Sequence, residues 1–303
     1  MHSTFLTVFG HTSVDVILHV DSPPELNTSV PVKGRSVRWG GTGANISKGA
    51  AQLGVPTRLV SFVGDDFCED YRKSFVESGV NISNLETIKG QGTPTCYLIT
   101  LPDEKQMALM DQGAMEAADR FRVPNEAIKE TEVVHIGTGD PDYYNKVMEK
   151  TRKEKKTIAF DPSQELRYLY SPEMFDEMLS KSHIFFCNEE EYRIASKYIG
   201  AESPEDFQSR VDVMIITKGS DGSVLYTKDG ESFIEPYPPV SMVDPTGAGD
   251  AYRAGFYAGL SRDMPLEVCC RCGSYNASLA IARQGAQGTE VSWELLWKAI
   301  GSD

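Results

Sequence analysis

The 303-residue sequence predicts an α/β fold: a mostly parallel, doubly wound sheet flanked by helices, with a small β-sheet beside it. Three observations carry this. Apolar strand-like runs alternate with amphipathic helical ones, the pattern of a parallel sheet covered on both faces. Glycine-rich and polar motifs fall just after the predicted strands, where open parallel sheets collect ligands. Two regions, Ser13 to Arg38 and Thr93 to Met110, break the rhythm with short β segments and turns and no helix between them.

The predicted strands are Phe5 to Gly10, Arg58 to Val63, Glu132 to Gly137, Thr157 to Phe160, Ile184 to Cys187 and Val213 to Thr217, each ending near polar or glycine residues. A helical stretch from Ala44 to Leu53 stops at Gly54, just before Pro56, so a stop signal closes it. Further helices are predicted over Glu69 to Ser78, Pro141 to Lys153, Pro172 to Ser180, Glu189 to Tyr198, Ala251 to Leu260 and Pro265 to Arg283. In the first irregular region Val14, Val16 and Leu18 occupy alternate positions and give one apolar face. The length exceeds the usual ceiling for one hydrophobic core and leaves room for a large domain with a small appendage. Internal repeats and low-complexity tracts are absent.

A net charge of −14 argues against nucleic acid or an anionic membrane as partner, because long-range repulsion opposes both. Anion binding must then be local. Of six cysteines, Cys269, Cys270 and Cys272 cluster without zinc spacing and read as thiols on a buried helix, suited to a reducing compartment. No apolar run approaches the ~20 residues of a membrane span, and Met1 to Gly10 lacks the basic start of a signal peptide. A soluble, cytoplasmic protein is expected.

The run Asp244-Pro245-Thr246-Gly247-Ala248-Gly249-Asp250 joins a backbone anion cradle to a carboxylate. Glycines let several N–H groups turn toward one point and a helix N-terminus adds its dipole, which favours a migrating phosphoryl group. A carboxylate there repels the anion unless it faces the other reactant, as a base taking the proton of an attacking hydroxyl. The competing reading is a glycine-rich loop with an N-capping Asp. A second loop, Gly40-Gly41-Thr42-Gly43-Ala44-Asn45, opens another helix, and its Asn45 amide can both donate to and accept from a polyol hydroxyl. The sequence holds no Gly-x-x-x-x-Gly-Lys-Ser/Thr and no His-Arg-Asp loop, and its early glycines are badly spaced for a dinucleotide site.

Together these motifs resemble the ribokinase (PfkB) family of small-molecule kinases. The resemblance runs from Gly10 to about Gly285 and rests on four motifs in the expected order. They are Gly40 to Ser47, with Gly54 and Gly64 following; Asn188-Glu189-Glu190-Glu191, matching Asn-x-x-Glu; Thr217-Lys218-Gly219; and Asp244 to Asp250, with Ala254-Gly255-Phe256 following. Only Tyr257 is bulkier than the usual residue at its place. Asn27-Thr28-Ser29, His135 to Pro141, Asp161-Pro162-Ser163-Gln164 and Thr217-Lys218-Gly219-Ser220 are similar to the archaeal nucleoside kinases, a branch with nucleoside acceptors.

The resemblance implies a ribokinase-like fold with a β lid, residues 13–38 and 93–110, closing on a large nucleotide-binding and catalytic domain, residues 1–12, 39–92 and 111–303. It implies transfer of the γ-phosphoryl group of ATP to the 5′-hydroxyl of a nucleoside, with broad base tolerance. The alternatives are a kinase for ribose, fructose or a ketodeoxy sugar acid, for which Lys33, Arg35 and Arg38 supply cations near the lid, and an inactive nucleoside or nucleotide binder.

Asp250 is the implied base, and the N–H groups of Gly247, Ala248, Gly249 and Asp250 the implied anion hole, each donor worth ~3 kcal/mol in the transition state. Asp15, Asn27, Gly40, Gly41, Asn45, Gln112, Asp161 and Gln164 are assigned to the acceptor, with Met110 and the Tyr143-Tyr144 pair as further candidates for a base wall. Arg253 either meets a phosphate or makes an ion pair within the protein. Asn188, Thr217, Lys218, Gly219, Ser220 and Asp244 are assigned to ATP, although Lys218 also suits a solvated turn. Magnesium is expected to offset the charge of ATP, with Glu191 acting through water; three glutamates in a first helical turn also suit the helix dipole alone. The resemblance leaves open a monovalent cation such as K+ near the anion hole and a homodimer paired through its lids.

Overall fold

A computed structural model describes residues 4–102, 105–288 and 291–301. The first three residues of the stretch read for a leader, and residues 103 and 104 of the second irregular region, lie outside the described residues. The strands are β1 (Leu6–Phe9), β2 (Ser13–His19), β3 (Gly34–Gly40), β4 (Thr57–Gly64), β5 (Asn81–Ile88), β6 (Thr95–Thr100), β7 (Gln106–Asp111), β8 (Val133–Ile136), β9 (Thr157–Phe160), β10 (Ile184–Asn188), β11 (Val213–Thr217), β12 (Ser223–Thr227) and β13 (Gly230–Ile234). The helices are α1 (Thr42–Gln52), α2 (Glu69–Glu77), α3 (Asn125–Lys129), α4 (Pro141–Lys153), α5 (Pro172–Ser180), α6 (Glu189–Ile199), α7 (Ala248–Leu260), α8 (Leu266–Ile281) and α9 (Trp293–Ile300).

The large sheet has the order β13-β12-β11-β10-β9-β8-β1-β4-β5, parallel throughout except at β11–β12 and β12–β13. All six predicted strands lie in it. Their carboxyl ends lead into the motif loops, as the strand reversal around β1 requires of a doubly wound sheet. Helix starts were readable where proline follows a capping residue: Asp140 accepts from Tyr143 N (2.6 Å) before Pro141, and Ser171 accepts from Met174 N (3.2 Å) before Pro172. Strands β5, β12 and β13 and helix α9 were not read from the sequence. Strand β5 carries polar residues on a half-exposed edge, so it lacks the apolar run of the inner strands.

One face of the large sheet buries Phe160, Phe175, Phe185 and Phe207 with no measurable exposure. The other packs Phe186 against Phe256 and Tyr257 of α7 and the thiols of α8. Cys269, Cys270 and Cys272 are free and buried, and burial pushes the Cys270 and Cys272 thiols up to about 12. Among the described residues no helix is long and apolar enough to cross a membrane.

The two irregular regions meet in a separate sheet of order β3-β2-β6-β7. Its register places Asp15, Arg38, Cys96 and Met110 on one face, and Val16, Val37, Tyr97 and Leu109 on the other. The second face leaves Val37, Tyr97 and Leu109 exposed by 49%, 39% and 60%, more apolar surface than a small sheet normally shows water.

Candidate active site

Helix α7 begins at the carboxyl side of the large sheet with Gly247 as its cap. Gly247 holds φ at 78°, and a Cβ there would collide with Ala286. No side chain caps this end. The N–H of Ala248 donates to Pro245 O (3.2 Å), so Ala248, assigned to the anion hole, is engaged in a turn. The N–H groups of Gly247, Gly249 and Asp250 find no acceptor among the described residues.

Asp250, in the first turn of α7, keeps part of its surface open to the cleft, yet dense protein surrounds the carboxyl group. Desolvation pushes it up to about 7. The Asn45 amide opposes that shift by donating from Nδ2 to Asp250 Oδ2 (2.7 Å). Asn45 projects from α1, the helix opened by the Gly40–Gly43 loop, and is 9% exposed. Asp15, on the inner face of the small sheet, is raised to about 6 by burial while accepting from Ser13 Oγ (3.3 Å). Gly40 makes room for it, since any Cβ there would overlap the Asp15 carboxylate. Asp15, Asn45 and Asp250 thus converge from the small sheet, α1 and α7.

A second corner holds Arg253. Its Nε and Nη2 donate to Asp161 Oδ2 and Oδ1 (2.8 and 3.3 Å), both side chains are 6% exposed, and the guanidinium lies 5.2 Å from the Phe186 ring centroid. Of the two roles open to Arg253 the structure shows the internal ion pair, in which each oxygen of Asp161, assigned to the acceptor, takes one hydrogen bond. Glu191 and Asn188 form a reciprocal capping box at the start of α6: Glu191 N donates to Asn188 Oδ1 and Asn188 N to Glu191 Oε2, both at 2.8 Å. Glu191 is buried and held above the ordinary carboxylate range, first by desolvation and then by the charge of Asp161.

The remaining assignments scatter. Asp244 accepts from Thr246 N and Gly285 N (2.9 Å each), tying the cradle to the loop after α8. Thr217 ends β11, with Lys218, Gly219 and Ser220 in the tight turn that follows, Gly219 at φ 58°. Gln112 is consumed at the exit from the small sheet, where His11 Nε2 meets its Oε1 (2.5 Å) and its Nε2 donates to Glu165 Oε1 (2.9 Å). Gln164 is exposed on the turn after β9. Asn27 lies in the exposed loop between β2 and β3 at φ 64° and makes no hydrogen bond to Asp15 or Asn45 among the described residues. Tyr143 and Tyr144 are not a base wall: each is 1% exposed in the core, because α4 turns them against Phe62 and Phe9.

Sequence reasoning missed Tyr71, Gln287 and Glu165. Tyr71 and Gln287 hydrogen-bond around Asn45, and Glu165 joins His11 through Gln112. None lies in a glycine-rich motif, so no local signal marked them. A cradle with free N–H groups, a raised carboxyl group and a carboxylate on an opposing small sheet is suited to moving an anionic group onto a hydroxyl. Comparison with known proteins agrees: residues 3–293 match the pfkB family carbohydrate kinase pattern.

The chain belongs to the PfkB family.

As a PfkB member it is a phosphotransferase with an alcohol group as acceptor. It is 36% identical to the nucleoside kinase of Methanocaldococcus jannaschii over 290 residues, 95% of this chain and 94% of the other. The crystal structure of that archaeal ribokinase-family member superposes with a TM-score of 0.91 over 98% of both chains. A Burkholderia thailandensis nucleoside kinase in complex with inosine shares the PfkB fold at TM-score 0.90, over 98% of both chains and at 22% identity.

Among the described residues no cluster of three His, Cys, Asp or Glu side chains could hold a metal. Glu191 has one oxygen engaged by its own helix cap and its other oxygen outside that cap, a donor set that fits a metal held mainly by other ligands rather than by the protein.

Proposed function

We propose that this protein is an ATP-dependent nucleoside kinase, transferring the γ-phosphoryl group to the 5′-hydroxyl. The observation that carries it is Asp250 at the uncapped end of α7, hydrogen-bonded to Asn45 and faced by Asp15 from the small sheet. The likeness to archaeal nucleoside kinases across nearly the whole chain supports a nucleoside as acceptor. Asp250 takes the hydroxyl proton as the oxygen attacks the γ-phosphorus and the bond to ADP breaks. The N–H groups of Gly247, Gly249 and Asp250 take up charge on the transferred group.

Asp15 and Asn45 hold the ribose hydroxyls, and Thr217 to Ser220 border the nucleotide. Magnesium, when bound, offsets phosphate charge in a cleft where Asp161, Glu191 and Asp250 gather around Arg253, with Asp15 facing Asp250. Asn188 and Glu191 would hold it through water. K+ near the cradle stays within the same proposal. The small sheet acts as a lid, excluding water when it closes. Its exposed outer residues Val37, Tyr97 and Leu109 suit a lid-paired homodimer in the cytoplasm.

One observation favours a different acceptor. Arg38 sits directly across from Asp15, near Gly285, and its buried Nε has no hydrogen-bond partner among the described residues. A cation there suits a sugar acid. An ATP-consumption screen with magnesium, offering purine and pyrimidine nucleosides beside ribose, fructose and sugar acids, tests the choice. Turnover with nucleosides and not with free sugars is expected, and turnover with sugars alone would discard the nucleoside reading.

A further inference from the structure

We propose that Gln287 and Tyr71 are positioning residues, a relay of directed hydrogen bonds that fixes which end of the Asn45 amide faces Asp250. The proposal rests on Asp250 as the base. The direction follows from the relay's far end. The Gly40 carbonyl can only accept, so the Tyr71 hydroxyl donates to it (2.7 Å) and leaves its oxygen to accept. Gln287 Nε2 donates to that oxygen (2.6 Å) and, with its second hydrogen, to Asn45 Oδ1 (2.8 Å). With Oδ1 engaged, Asn45 turns Nδ2 toward Asp250 Oδ2 (2.7 Å). A reversed amide would set oxygen against carboxylate.

Tyr71 is itself fixed. It has no exposed surface and stacks on Trp39 of β3 (centroids 4.9 Å apart, planes at 4°) and on Phe75 (4.8 Å). The relay therefore starts where β3 of the small sheet runs into α1, and it ends at the base. Asp250 is faced by Asp15 from β2, Asp161 after β9, Tyr71 from α2 and Arg253 from its own helix. Against desolvation and the two acids, the Asn45 amide and Arg253 favour the ionised carboxylate. The Gly40 carbonyl, at the start of one glycine-rich motif, sets the Asn45 orientation through Tyr71 and a glutamine that lies beyond both motifs.

Gln287→Met and Tyr71→Phe keep volume and remove the relay's donors. The readout is the pH profile of kcat with ATP, magnesium and the nucleoside that turns over fastest in the screen. Both variants are expected to move the acid limb upward by roughly half a pH unit, with kcat at pH 6 lowered about threefold, and the double variant to be no worse than the worse single. Gln287→Glu, which cannot donate when ionised and draws Nδ2 away from Asp250, should move the limb further than Gln287→Met, and it carries the test if Tyr71→Phe does not fold. Asp250→Asn, measured alongside, separates the two ideas. Turnover retained in Asp250→Asn would overturn the base itself. Turnover lost there, with the limb unmoved in the Gln287 variants, would overturn the relay alone.

Discussion

Helices α6 and α7 both start at the carboxyl edge of the large sheet, and both carry acids in the first turn, yet their ends are finished in opposite ways. At α6 the Asn188–Glu191 box satisfies backbone donors from within the protein. At α7 the cap position is a glycine in the left-handed region with no side chain to offer, and the Gly249 and Asp250 N–H groups have no acceptor among the described residues. A helix end leaves several N–H groups without a partner in the helix, and at α7 these belong to residues open to solvent, Gly249 being exposed. The difference teaches where backbone donors are still on offer: α6 is complete as it stands, whereas the first turn of α7 has room in its hydrogen bonding for an anion. Arg253 lies between the two ends, feeling Asp161, Glu191 and Asp250 together.

Breaking that bridge has the largest expected effect. Arg253→Met leaves Asp161 buried and unpaired and should cost about 3–5 kcal/mol of stability, read by urea denaturation. Unchanged stability with a raised KM for ATP would instead give Arg253 a phosphate to hold. Next comes the open end. Asp250→Asn should lower kcat on the order of a hundredfold with acceptor KM little changed. With Asp250 intact, kcat should rise with pH through about 7 as the base ionises. A limb in the ordinary carboxylate range would mean that desolvation does not govern the base.

The smallest effects belong to the closed end. Asn188→Ala should cost about 1 kcal/mol of stability through the lost cap and change turnover little. Glu191→Gln keeps an oxygen for the Asn188 N–H. It should leave Tm nearly unchanged while raising the magnesium concentration for half-maximal activity severalfold. A fall in Tm with no change in magnesium dependence would make Glu191 a cap and nothing more.

The inner strands and the proline-started helices were legible in the sequence because continuous apolar runs and capping pairs are local signals. Strand β5 and the antiparallel pair β12–β13 were not, since their stability comes from pairing at an edge rather than from their own pattern. The same division runs through the site. Asp250, Asn45 and Asp15 stand in or beside glycine motifs that single them out locally, and the fold brings the three together. The two tyrosines of α4 were assigned to a base wall by chain position, and the fold instead buries them in the core; Asp161 and Gln112, also assigned to the acceptor, prove to be bonded to Arg253 and to His11 with Glu165.

What the sequence by itself determined is the α/β class, because apolar periodicity is a property of short stretches, and, through four ordered motifs resembling the PfkB family, the reaction class. What only the tertiary structure decided is which polar groups are already spoken for. Hydrogen bonds such as Asp161 to Arg253 and Gln287 to Asn45 join residues far apart in the chain, and their partners are chosen by packing, not by neighbours in sequence.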